Sequence, residues 1–277
     1  MIIGDGIMLG AGGESASIFV TGLSETDTVT ASKNGKTVVG KWSQKPNPAY
    51  VAIPDGYTQL EYIKSTGTQY INTGVQNSLE LSITGDITFT DASSGAVFGT
   101  LSKTDTRAIS LDLNANGYLA YWTADGKYAT YVDANKDVVF KTTPNSFTFD
   151  GTEIGKGNDT NGVSTGNICL FTSHYGGNGK LIARHFEISS GTTKVRDFIP
   201  SKRNSDSVIG LYDIVNGVFY TNSGTGTFIA GAEVPQNIDG FLIDKIKSYG
   251  TWNVSNGDGT KTTDVLIDAA AEFEVTL

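Results

Sequence analysis

The chain has 277 residues and a formal net charge of −9, from 20 Lys and Arg against 29 Asp and Glu. That balance opposes binding to nucleic acid or to anionic membranes, and no stretch approaches the roughly 20 apolar residues of a membrane-spanning helix. Glycine is abundant at 34, proline scarce at 6, and runs of Ala, Leu, Glu and Lys are missing, which excludes a helical bundle and points to many short strands joined by turns.

Residues 1–14, "MIIGDGIMLGAGGE", form a glycine-rich arm. Asp5 and the interrupting glycines are wrong for a signal peptide. The arm reads either as a disordered leader or as a segment that adds a strand to a neighbour's sheet edge. Short alternating segments follow over residues 15–48: "SASIFVTGL", then "DTVTASKNGKTVVGKW" with an Asn34-Gly35 hairpin turn, closed off by Pro46 and Pro48. Residues 237–277 have the same texture and read as about four strands, around Leu242–Ile246, Thr251–Ser255, Val265 with Ile267, and Phe273 with Val275. Neither piece has the apolar area to stand alone. Together they predict one small sandwich, with Trp42 and Trp252 in its core, interrupted by a long insertion.

The insertion, residues 49–236, is a succession of strands at jelly-roll spacing with almost no helical pattern. Alternation is clear at Leu111 and Leu113, at Leu119 and Tyr121, at Phe147 and Phe149, and at Phe186 and Ile188. Asn216-Gly217, between "LYDIV" and "VFYT", predicts a two-residue hairpin. The lone cysteine, Cys169 in "NICLF", excludes an intrachain disulfide and reads as a buried strand thiol.

Two long motifs, "DGYTQLEYIKSTGTQYINTGV" and "KVRDFIPSKRNSDSVIGLYDIVNGVFYTNSGTGTFIAG", bracket this segment. They resemble the ends of concanavalin A-like, laminin-G-like jelly-roll domains common in tail and surface proteins of gut bacteriophages and prophages of Gram-positive hosts. The flanks, "SASIFVTGLSETDTVTASKNGKTVVGKW" and "IKSYGTWNVSNGDGTKTTDVLIDAAAEFEVTL", resemble the two parts of a small immunoglobulin-like domain of phage virion proteins. The resemblance implies an all-β chain, a small immunoglobulin-like sandwich interrupted by a larger jelly roll, in a virion component made in a bacterial cytoplasm. It implies other virion proteins as partners and several symmetric copies of this chain.

Concanavalin-like folds also serve glycoside hydrolases, which need two carboxylates roughly 5 to 9.5 Å apart. Here the acids Glu61, Asp112, Glu153 and Glu187 are scattered singly, so an enzyme is not expected. His185, in the alternating "ARHFEI", reads as a solvent-facing strand residue. No cofactor is expected. Calcium is the exception to test, because "LDLNANG" (Asp112, Asn114, Asn116) and "GNDTNG" (Asp159, Asn161) carry alternate oxygen donors, although neither has a full calcium loop. Asx turns explain both equally well.

Sugar rings present apolar patches rimmed by hydroxyls, so a glycan site needs aromatic faces beside amides and carboxylates. "YLAYWTADGKY" supplies Tyr118, Tyr121, Trp122, Asp125 and Tyr128, and "SHYGGNGK" supplies His174, Tyr175 and Asn178. These two loops are the candidate ligand edge. The function expected is a virion structural protein whose projecting domain adheres to host-surface or mucosal glycans. The rival is a purely architectural head or tail decoration protein that binds no glycan; a glycanase is the third reading, disfavoured by the missing carboxylate pair.

Overall fold

The computed structural model describes residues 15–91, 95–102, 109–123, 127–156 and 165–277. The N-terminal arm, Asp125, Asp159 and Asn161 therefore lie outside the described residues. The fold is all-β, with no helix among the described residues. Two compact units separate: the chain up to Tyr50 together with Pro235–Leu277, and Val51–Val234.

The smaller unit has two four-stranded sheets, and each mixes strands from both ends of the chain. In one, Ala16–Thr21 lies between Glu272–Thr276, to which it runs parallel, and Asn237–Ile246, to which it runs antiparallel; Lys41–Pro46 completes the sheet. In the other, Val29–Lys33 lies between Lys36–Val39 and Gly250–Asn256, with Thr262–Ile267 at the far edge. Inward-facing residues alternate along these strands, so Ile18, Val20, Val29 and Ala31 share one core with Phe241, Ile243, Trp252, Val254 and Ile267. Removing either terminal segment would leave half of that apolar surface in water. Trp252 is buried and donates its indole N–H to the Ser248 carbonyl at 2.8 Å, while the half-buried Trp42 meets Phe241 edge-on at 5.0 Å. The Asn34-Gly35 turn forms as its chemistry requires, with φ of 49° and 76° at its two central residues.

Phe19 faces away from this core, yet it is almost fully buried. Lys45 places its ammonium 4.4 Å from the ring centroid and pairs with Glu272 and Glu274 on the far side. The lysine stem thus covers an aromatic ring that would otherwise face water. Lys45→Ala is expected to cost about 1 kcal/mol, read as a lower urea midpoint, with Lys45→Met recovering most of it. An unchanged midpoint in Lys45→Ala would show that the covering contributes nothing.

The larger unit is an antiparallel sandwich of the jelly-roll kind. Its first sheet runs Thr152–Lys156, Ser146–Phe149, Asp137–Thr143, Leu81–Phe89, Leu181–Ser190, Thr193–Arg203, Ile209–Asp213, Val218–Tyr220; its second runs Lys127–Tyr131, Tyr118–Trp122, Ser110–Leu113, Gly95–Thr100, Asn167–Leu170, Ile71–Gln76. Phe98, Phe140, Phe147, Phe171, Phe186 and Phe198 fill the space between them. The stretch "YIKSTGTQYINTGV" crosses from one sheet to the other: Ile63–Lys64 joins the first, Ile71–Gln76 the second. Buried Gln69 fixes the crossing, accepting from the Thr66 N–H at 2.8 Å and donating to the Thr227 carbonyl at 3.0 Å. The two bracketing motifs meet where Ile63–Lys64 pairs with Ile229–Ala230.

This pairing brings the ends of the unit together, as an insertion needs. Gln59 accepts from the Val51 N–H through its side chain (2.7 Å) and from the Val234 N–H through its backbone carbonyl (2.9 Å). In the smaller unit, Asn47 donates its backbone N–H to the Gln236 carbonyl and its side-chain amide to the Pro235 carbonyl.

One expected turn is different. Asp213 pairs with Val218, so the hairpin at Asn216-Gly217 has a four-residue loop, Ile214–Gly217. The Asp213 carboxylate organises it, accepting from the Val215 N–H and from the Asn216 side chain, while the Gly217 N–H reaches the Asp213 carbonyl. His185 is a partly exposed strand residue beside buried Phe186, and its ring nitrogen lies 2.7 Å from Asp197, which Lys194 holds from the other side. Burial works against ionisation of Asp197, yet Lys194 and His185 outweigh it and hold the carboxyl below its ordinary range.

Candidate functional site: an aromatic sheet face

Strand alternation divides the aromatic residues of "YLAYW" between two faces. Leu119 and Tyr121 point to the core; Tyr118, Ala120 and Trp122 point away from it. The next strand continues the pattern. Tyr131, Ala129 and Lys127 stand opposite Tyr118, Ala120 and Trp122, and Tyr128 stands opposite Tyr121. The outward face therefore carries Tyr118 (48% exposed), Trp122 (40%) and Tyr131 (58%) above a floor of two alanines. Tyr118 and Tyr131 meet edge-on at 5.9 Å, and the Lys127 ammonium sits 4.6 Å from the Trp122 ring centroid.

This arrangement corrects two candidates. Tyr121 is 1% exposed, with its ring 6.3 Å from Phe98 and 6.1 Å from Phe147, so it belongs to the core. Tyr128 is on the same inner side, packed against the core; a Cβ added at Gly155 would fall 2.0 Å from its ring, so that ring packs closely against the Thr152–Lys156 strand. Tyr131 and Lys127 are additions. Their signal was present in "KYATY", where alternation sets Lys127 and Tyr131 on one side and Tyr128 on the other.

The second candidate loop folds onto the same outward face. Phe171 adopts φ of 67°, a left-handed conformation that an aromatic residue takes only under constraint. Its ring is held by Phe186 at 5.7 Å and Phe228 at 5.0 Å. After this kink, Thr172–Ser173 pairs with Gly177–Asn178 as a tight hairpin, and Asn178 pairs in turn with Ala96. A Cβ at Gly99 would fall 2.5 Å from the Ser173 Cβ, and one at Gly176 would fall 2.4 Å from Asp112 Oδ1. The hairpin thus lies directly over Gly99 and Asp112. That explains why Gly95–Thr100 and Ser110–Leu113 are buried on both faces.

Asp112 fastens the hairpin. Its carboxylate accepts from the Ser110 hydroxyl and, at 2.7 Å, from the Ser173 hydroxyl, which itself accepts from the Gly176 N–H at 2.7 Å. Asp112 is the cross-strand partner of Ala120, midway between Tyr118 and Trp122. His174 and the exposed Tyr175, whose rings lie 5.0 Å apart, therefore border the aromatic face. The hairpin that carries His174, Tyr175 and Asn178 lies over Gly99 and Asp112 on the same outward sheet face as Trp122, while Tyr121 and Tyr128 turn inward.

The weak calcium candidates have local roles. Asp112 is buried with both oxygens engaged by serines, and Asn114 accepts from the Asn116 and Tyr118 N–H groups as an Asx turn. Among the described residues no group of three or more His, Cys, Asp or Glu is placed to hold a metal ion. Cys169 is buried, and burial pushes its thiol up to about 11.

Burial also pushes the Asp112 carboxyl above its ordinary range, against the opposing pull of Ser110 and Ser173. Folding thus disfavours its ionised form, so Asp112 lowers stability as pH rises past its ordinary value of 3.8. Asp112→Asn keeps an acceptor for Ser173 and offers a donor to Ser110. Its melting temperature relative to wild type is expected to rise as the pH climbs past that ordinary value; a difference that stays constant would contradict the assignment.

No protein-family model and no curated protein matches the sequence. Among solved structures, the chain is similar to a candidate carbohydrate-binding protein from Bacteroides ovatus (TM-score 0.45, 11% identity), covering 65% of this chain and 62% of that one. It is also similar to a heptameric SAP-like pentraxin from Limulus polyphemus (TM-score 0.36, 10% identity, 69% and 97% covered). A third similar structure, of botulinum neurotoxin type C, comes from work on its cell entry through two ganglioside molecules (TM-score 0.29, 9% identity, 87% and 92% covered). The chain spans less than two thirds of the first of these. Likeness at this level carries no argument about ligand or role.

Proposed function

We propose that the chain is a structural protein of a bacteriophage particle whose inserted jelly roll binds glycans of the host surface or of mucus. One observation supports the binding most: Tyr118, Trp122 and Tyr131 stand exposed on one sheet face, beside Lys127 and a hairpin that adds His174, Tyr175 and Asn178. Aromatic planes next to a few hydrogen-bonding groups suit the apolar faces and hydroxyl rims of sugars. The virion assignment rests on the resemblance of the bracketing and flanking motifs to phage domains. In this reading the split sandwich and the N-terminal arm anchor the chain to other virion proteins, in several symmetric copies. The chain is a binder and not a hydrolase, with no resident cofactor.

The test is retention of the full chain on a glycan array and on host cells, with calcium and with chelator. Specific retention that survives chelation is expected. Calcium-dependent retention would place an ion at the face. No retention on any surface would overturn the binding reading and favour a purely architectural particle component. Antibodies against the chain should label purified virions, and their failure to do so would remove the virion assignment.

A further inference from the structure

We infer that the aromatic face takes a linear glycan of at least three sugar units, laid along the Tyr118–Trp122 strand; this rests on the glycan-binding reading above. Tyr118 and Trp122 project from one face of one strand, four residues apart, with only Ala120 between them. At roughly 3.3 Å per residue, their side chains leave the sheet about 13 Å apart. Stacked rings sit about 4.5–7 Å apart, centroid to centroid, and a pyranose is the size of one such ring. No single sugar can therefore stack on both aromatics.

The surface between them is built to let a chain pass. Ala120 is 3% exposed and so already covered, whereas its cross-strand partner Ala129 is exposed, so the open floor lies at Ala129. Among the described residues nothing taller than a methyl group rises from these two strands between the aromatic pairs. Each end has a different character. Tyr131 stands edge-on beside Tyr118, so that end offers aromatic surface with phenol hydroxyls. Lys127 sets its ammonium beside Trp122, so that end couples an indole to a donor that suits a hydroxyl-rich or carboxylate-bearing unit. The middle is bordered on its third side by the hairpin, because Gly176 packs on Asp112 and Asp112 is opposite Ala120. A chain of three rings would touch Tyr118 at one end, cross the floor at exposed Ala129 alongside the hairpin, and reach Trp122 at the other.

The experiment uses the full chain on an array carrying mono-, di-, tri- and pentasaccharides of neutral and of acidic series, followed by titration of the retained series. Affinity is expected to rise at least tenfold from one unit to three and then to level off. Tyr118→Ala and Trp122→Ala should each return the trisaccharide to within a few-fold of the monosaccharide, since each removes one end. A monosaccharide that binds as tightly as its trisaccharide, with only one of the two variants affected, would overturn the extended trough and leave glycan binding standing. Retention of no saccharide of any length would overturn both.

Discussion

Tyr121→Ala is expected to destabilise the inserted unit by about 3–5 kcal/mol, whereas Trp122→Ala, one residue along, is expected to cost less than about 1 kcal/mol. Tyr121 lies in the core against Phe98 and Phe147, and truncating it leaves a cavity that close-packed neighbours cannot fill. Trp122 is 40% exposed, and its aromatic contact is with the Lys127 ammonium. Urea unfolding of the two variants measures the difference directly. The reverse order would mean that the strand sits one residue out of register, which would turn its core face to water.

Asp213→Ala is expected to cost a further about 3–5 kcal/mol at a site remote in sequence from the aromatic strands. Asp213 is fully buried, and its two oxygens collect the Asp197 N–H (3.1 Å), the Val215 N–H (3.1 Å), the Asn216 amide (2.8 Å) and the Arg196 guanidinium at 3.5 Å. Alanine would orphan these donors and leave Arg196 without its buried counter-charge. Asp213→Asn should fall between the two, because it keeps one oxygen but turns an amide toward Arg196 and Asn216. A midpoint for Asp213→Ala indistinguishable from wild type would show that the hairpin forms without the carboxylate.

The parts of the fold that were legible in the sequence are those set by neighbouring residues. Asn34-Gly35 makes its turn because both residues tolerate positive φ, a property of the dipeptide itself. Asn216-Gly217 has the same letters, but the carboxylate of Asp213, three residues before Asn216, widens the loop to four. Half of the candidate site was also within reach. Leu119 and Tyr121 alternate together, which assigns Tyr121 to the core and Trp122 to the surface; choosing aromatics by type alone obscured this. Tyr128 required the cross-strand register with Tyr121, and Tyr131 required the register with Tyr118. The docking of the Thr172–Asn178 hairpin was not legible at all. It depends on the kink at Phe171 and on Asp112, 61 residues before Ser173.

The central claim is that the Tyr118–Trp122 face is where a glycan binds, and the most direct measurement compares array retention of the wild-type chain with that of the Tyr118→Ala, Trp122→Ala double variant. The double variant is expected to lose retention by roughly 100-fold while its melting temperature stays within about 4 °C of wild type. Undiminished retention by the stably folded double variant would contradict the claim and place the glycan on another surface.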